Sequence, residues 1–229
     1  GSSIPILRGS VLFVIVSVVS RIDDAARIEG EYLRLAGEVD AATDRIRRRH
    51  PAEVHCCPGC NLCCHDFFQI SVLEAALVRR AVLELPAEVQ AEIGRRVEAL
   101  DRTLEAHGVA LPERHYPEDD PEGCGRTFSA RQRLRDEECL CPLNLDGKCS
   151  IYASRPILCR TFGYPVDGFF FGCPGGNFED EDATYASLRG DPIDRRLEAL
   201  RSEYVAGTRL EGRVTDNRYM GAVDWTELL

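Results

Sequence analysis

The chain has 229 residues and an apolar fraction of 44%, enough for a hydrophobic core and too much for a disordered chain. Its net charge of −10, with no dense basic stretch beyond Arg45 to Arg49, argues against nucleic acid as a main partner. Eleven cysteines, odd in number and packed two and three apart, argue against a disulfide framework, which belongs to small secreted chains lacking a core.

In chain order, Gly1-Ser2-Ser3 reads as an expression remnant. Residues 11–19 are strongly apolar between Arg8 and Arg21, but a bilayer span needs about 20 apolar residues. This run reads as a buried strand or as sequence upstream of the true start. The competing reading is a signal-peptide core with a cleavage site at Val18 and Ser20. On the first readings the protein is cytoplasmic and has no stable membrane span. From Asp23 onward, apolar or small residues recur in steps of four and three at Ile28, Tyr32, Leu35, Val39, Ala42 and Ile46. They predict an amphipathic helix over 23–50, closed by Pro51. Arg47, Arg48 and Arg49 complement its C-terminal dipole. Its seam packs on the domain, or pairs with a partner helix as a short coiled coil.

Ser71-Val72-Leu73-Glu74 is a capping box, opening a helix that runs to about Leu85. Pro86 suits the first turn of a second helix, with an apolar face of Val89, Ile93, Val97, Leu100 and Leu104 and a stop at Gly108. These two form an antiparallel helical hairpin, an insert over 71–107. Residues 112–125 are acidic and rich in Pro and Gly, a loop, and a short helix follows over 129–138. Tyr164 to Phe171 predicts a β-hairpin turning on Asp167-Gly168. The tail, 179–229, is helical from about Ile193 to Val205. No repeat and no strand–helix alternation occurs, which excludes doubly wound and barrel folds. The fold class is mainly α, with a small irregular cysteine-rich metal-binding core over 51–178 and a short β-hairpin.

The cysteines fall in two groups. The first reads Cys57-x2-Cys60-x2-Cys63-Cys64, with Cys56 just before it; the second spans Cys124, Cys139, Cys141, Cys149, Cys159 and Cys173. Thiolates are soft anionic donors that suit zinc and iron–sulfur clusters, and two-residue spacing on a turn such as Pro58-Gly59 aims consecutive sulfurs at one centre. Cys64 should point away from Cys63, toward a second metal or another face. Structural zinc usually takes two separated Cys-x2-Cys knuckles, and the second group has none. The first group instead resembles the bacterial ferredoxin run, whose remaining cysteine precedes a proline, as Cys141-Pro142 and Cys173-Pro174 do. Spacing therefore favours an iron–sulfur cluster, a [4Fe-4S] cubane, over zinc. Cys56, Cys60 and Cys63 also match the three-cysteine pattern of radical S-adenosylmethionine enzymes, but the strand–helix alternation of that fold is missing. His55 and His65 flank the first group and are candidate substitutes for a sulfur, with Asp66 placed to orient His65. His107 and His115 read as structural or exposed.

The second group carries Cys141-Pro-Leu-Asn-Leu-Asp-Gly-Lys-Cys149-Ser-Ile-Tyr-Ala-Ser-Arg155-Pro156-Ile-Leu-Cys159-Arg160-Thr-Phe162. With the first run, this resembles the YkgJ-like cysteine-cluster family, described as zinc- or iron-chelating, over residues 57–173. The resemblance implies metal chelation by Cys57, Cys60, Cys63, Cys64, Cys141, Cys149, Cys159 and Cys173, and leaves Cys56, Cys124 and Cys139 outside the pattern. A flagellin lysine methylase shares the cysteine motif, so enzymes exist among such relatives, but no glycine-rich nucleotide turn is present here. Arg155 and Arg160 would offset the thiolate charge around the metal, Pro156 would fix the chain, and Tyr152 and Phe162 would shield the site.

Three classes stay open: a metal-binding protein, an iron–sulfur enzyme of redox or protein-modifying type, and a zinc-stabilised helical interaction module. A site closed across two distant cysteine groups couples metal binding to folding. Metal removal is expected to unfold most of residues 139–173. Circular dichroism and limited proteolysis check this, and an apoprotein as protease-resistant as the holoprotein would refute it.

Overall fold

The computed structural model describes residues 8–54, 56, 59–109, 115–167 and 187–221; for residues 8–22 and 216 it describes the backbone alone. About 60% of the chain is helical, with a small antiparallel sheet. Helix α1 (Arg8–Arg49) is a single 42-residue helix, which corrects the strand reading of residues 11–19. Valines disfavour helix by only about 0.5 kcal/mol each, and a helix already nucleated downstream extends at that modest cost. The predicted seam is the buried one: Ile28, Tyr32, Leu35, Val39 and Ile46 are all inside, joined by Ala36. It packs within the chain, against α5 (Ile157–Thr161) and α6 (Gly190–Val205). Among the described residues no helix is long and apolar enough to cross a membrane.

Strand β1 (Gln69–Ser71) runs directly into α2 (Val72–Leu83) through the capping box. The Glu74 backbone N–H donates to Ser71 Oγ at 3.2 Å, and the Ser71 backbone N–H donates to Glu74 Oε2 at 3.2 Å. Helix α3 (Ala87–Ala106) starts after Pro86, and Gly108 past its end adopts φ +68°, the left-handed conformation that glycine permits there. Its apolar face serves two cores rather than one hairpin partner. Ile93 and Val97 join the main core with α1 and α2, whereas Leu100 and Leu104 join Phe67, Ala130 and Leu134 in a second.

Beyond α3, β2 (His115–Pro117) is followed by α4 (Pro121–Asp136). The helix is longer and earlier than the expected 129–138. Asp120 caps it, accepting from the Glu122 N–H at 3.1 Å, and Pro121 occupies the first helical position, where a missing N–H costs nothing. A hairpin of β3 (Asn144–Leu145) and β4 (Lys148–Cys149) follows. It turns on Asp146 and Gly147 at φ +51° and +76°, the paired positive angles of a type I′ turn. The hairpin expected over 164–171 falls partly outside the described residues, which stop at Asp167 there; Val166 makes a parallel bridge to Leu188. Strand β5 (Arg213–Asp216), absent from the sequence reading, is the centre of an antiparallel sheet of order β1-β5-β2.

Buried carboxylates tie these elements together. Glu29 on α1 is 6% exposed and accepts from both guanidinium nitrogens of Arg80 on α2, at 2.5 and 2.7 Å, and from Tyr204 on α6 at 3.2 Å. Glu74 is 4% exposed. It accepts from Ser71 Oγ at 3.0 Å, from Tyr32 of α1 at 3.1 Å, and from the Ile157 N–H that opens α5 at 2.9 Å. Glu74→Ala leaves these donors buried without an acceptor and is expected to cost about 3 kcal/mol or more. A denaturant midpoint shift checks this; an unchanged midpoint would mean that water replaces the carboxylate.

Candidate metal centre

Two backbone features bring the distant cysteine groups together. Gly59, at φ +94°, leads into a 3-10 turn over Leu62–His65, and the Cys141 N–H donates to the Cys64 carbonyl at 2.6 Å. The β3–β4 hairpin and α5 then present Cys149 and Cys159 to the same space. The result is a cavity of about 580 Å³ whose lining includes Cys56, Cys60, Cys63, Cys64, Cys141, Cys149 and Cys159. Its remaining wall is mainly apolar, from Leu62, Phe68, Ile151, Phe162 and Met220. Six of the eight cysteines assigned by the resemblance therefore face one cavity. The other two, Cys57 and Cys173, lie outside the described residues, as does His55. Cys124 stands on α4 with its thiol toward the Glu118 carbonyl, and Cys139 packs at the second core.

The expectation that Cys64 points away from Cys63 is corrected. The tight turn carries both to the cavity, and the Cys63 thiol hydrogen-bonds to the Cys64 sulfur. That bond is the main reason Cys64 is lowered to about 6, with help from Asn144, His65 and Arg155; it also drives Cys63 far upward. Burial raises Cys141, Cys149 and Cys159, and their neighbours' negative charges add to the rise. Such mutual repulsion is relieved when a cation binds between thiolates. Cys60, Cys63, Cys64, Cys141, Cys149 and Cys159 are not joined in disulfides.

The residues expected around the site divide. Arg155 stacks on the Tyr152 ring, 3.6 Å from its centroid, and its charge favours the thiolates of Cys64, Cys149 and Cys159. Tyr152 lines the cavity but is 58% exposed, so it forms a rim more than a shield. Arg160 does not turn to the sulfurs. It donates to the Arg155 carbonyl at 2.9 Å and the Ala153 carbonyl at 2.6 Å, and pairs with Asp40 of α1. Asp66 pairs with Arg135, so it is not reserved for His65. His107 pairs with Glu137 and His115 accepts from Arg213, in keeping with structural roles.

The donor set suits a soft metal in kind and number. Three buried polar groups near the cysteines make no hydrogen bond of ordinary geometry: the Asn144 amide, the Ser150 hydroxyl and Arg155 Nε, of which Arg155 lines the cavity, as expected of donors toward sulfur. In position the fit is looser. Among the described residues, no three His, Cys, Asp or Glu side chains stand close enough together to hold one metal ion. The sulfurs ring a cavity rather than a point. The sequence reading left Cys56 outside the ligand set, although it lines this cavity, and did not include Asn217 and Met220, which the tail contributes to the same wall. For Cys56 the signals were its adjacency to Cys57 and the three-cysteine pattern it makes with Cys60 and Cys63.

No family model, no curated protein and no solved structure matches the chain, so the cysteine-cluster resemblance stands on its motifs.

Arg160 anchors α5, and with it Cys159, to α1. Arg160→Met is expected to lower stability by about 2–3 kcal/mol through loss of these charged hydrogen bonds. Thermal or denaturant unfolding checks this, and an unchanged transition would show the pair to be idle.

Proposed function

We propose that this protein binds metal through the thiolates of Cys60, Cys63, Cys64, Cys141, Cys149 and Cys159, completed by Cys57 and Cys173, as an iron–sulfur cluster or as zinc. The observation that carries the reading is the convergence of six pattern cysteines, from segments about 80 residues apart, on one largely apolar cavity. The disulfide reading, already disfavoured by the number and spacing of the cysteines, gains no support from the described cysteines of the cavity, none of which is joined in a disulfide. Eight thiolates exceed the four of a single zinc site, which favours a cluster with additional ligands or two metal ions. A bound iron–sulfur cluster would supply one-electron chemistry; zinc would supply rigidity or Lewis acidity.

A second reading, an enzyme acting beside the metal, is favoured by one feature. A polar cavity of about 360 Å³ shares Cys56, Tyr152, Arg155, Cys159 and Phe162 with the thiol-lined one and adds Asp40, Asp44, Arg47 and Tyr164. Its size falls within the range of small-molecule sites, and its carboxylates and phenol are acid–base groups.

Anaerobic purification with metal analysis and a visible spectrum tests the proposal. Brown protein carrying iron and sulfide assigns a cluster, and colourless protein carrying zinc assigns zinc. Cys64→Ser and Cys141→Ser are expected to lose most bound metal, whereas Cys124→Ser, remote from the cavity, keeps it. Folded wild-type protein that takes up neither metal overturns the proposal.

A further inference from the structure

Asn144 begins β3 with its backbone committed. Its N–H donates to the Cys141 carbonyl at 2.9 Å, and its carbonyl accepts from Arg96 Nη1 at 2.6 Å. Its side chain is 2% exposed, and neither the amide nitrogen nor the amide oxygen makes a hydrogen bond of ordinary geometry. Burying an amide without partners costs on the order of 1–3 kcal/mol, so an amide kept there calls for an acceptor. The hairpin register sets Asn144 opposite Cys149, which places both side chains on the same face of the ladder. The amide lies against the Cys64 thiol, and the backbone bond from Cys141 to the Cys64 carbonyl holds that neighbour in place. Sulfur is therefore the acceptor in reach. A neutral thiol accepts weakly, while a metal-bound thiolate carries the charge that makes an N–H···S bond worthwhile.

We propose that the Asn144 side-chain N–H is a hydrogen-bond donor to the Cys64 sulfur in the metal-bound protein. It orients that thiolate from behind the cavity wall and draws off part of its charge. Asn144 is a positioning residue, and the inference rests on the thiolate–metal reading above. An amide buried there without a partner of ordinary geometry then serves as a donor toward a ligand sulfur, as outer-shell groups do at other metal centres.

Cobalt(II) is the probe, because its thiolate charge-transfer band reports the charge on bound sulfur. Asn144→Leu keeps the side-chain shape and removes both polar atoms; Asn144→Asp keeps the shape and removes the donor. With the donor gone, the band is expected to move to lower energy and cobalt affinity to fall about 10- to 100-fold. The metal-free Leu variant should unfold at the same or a higher denaturant concentration, since an orphaned amide has been replaced by apolar atoms. A merely structural asparagine would show the reverse, a weaker fold with an unmoved band. Should the Leu variant fail to fold, the Asp variant decides by its band position. Folded variants that bind cobalt with wild-type affinity and an unchanged band overturn the inference. Wild-type protein that binds no cobalt overturns the metal reading itself.

Discussion

Withdrawing a carboxylate from water costs several kcal/mol unless donors replace the solvent. Glu74 finds its donors in Ser71, Tyr32 and Ile157. These belong to the start of α2, the seam of α1 and the first N–H of α5. One side chain therefore sets where α2 begins, how α1 lies across it, and where α5 starts. A five-residue helix has almost no stability of its own, so α5 depends on such outside anchors. Glu74 holds its N-terminal end, and Asp40 holds Arg160 near its C-terminal end. Cys159 lies between the two.

The same economy of means positions the other sulfurs. The 3-10 turn, the type I′ hairpin and α5 are each too short to pack a core alone. Bonds that cross the sequence fix them: Cys141 to Cys64 joins the turn to the approach of the hairpin, Asn144 to Arg96 ties the hairpin to α3, and Ile157 to Glu74 ties α5 to α2. The thiol-lined cavity is irregular in backbone yet fixed at its edges. Its walls come from short elements, and its rigidity comes from α1, α2 and α3. That arrangement suits a metal centre, which needs several donors brought from different directions and held there.

The features that were legible in the sequence were those written locally. Ser71 and Glu74 are three residues apart, and the box they predict is the one observed. The seam from Ile28 to Ile46 is a periodicity within one helix, and its burial follows from that periodicity. Asp120-Pro121 was also a local signal, a cap followed by a first-turn proline, but the surrounding acidic residues and glycines read as loop. Asp146-Gly147 turns a hairpin that the sequence reading did not include, because the cysteines on both sides interrupt the alternation that marks a strand. Strand β5 was not legible, since its partners are the remote β1 and β2, and three- or four-residue strands carry little pattern. For the site, the cysteine motifs picked out residues that line one cavity but not their directions. That Cys63 and Cys64 meet, and that Arg160 turns to Asp40 instead of sulfur, are set by tertiary contacts.

Strand β5 has a bearing on the order of assembly. Its register pairs Gln69 with Asp216 and His115 with Thr215, so the sheet closes only when β5 meets partners far earlier in the chain. Pairing across so long a loop is slow and comes late. Asn217 and Met220, which follow β5 directly, form part of the cavity wall. The wall of the thiol-lined cavity is therefore complete only once β5 has docked and carried these two residues into place.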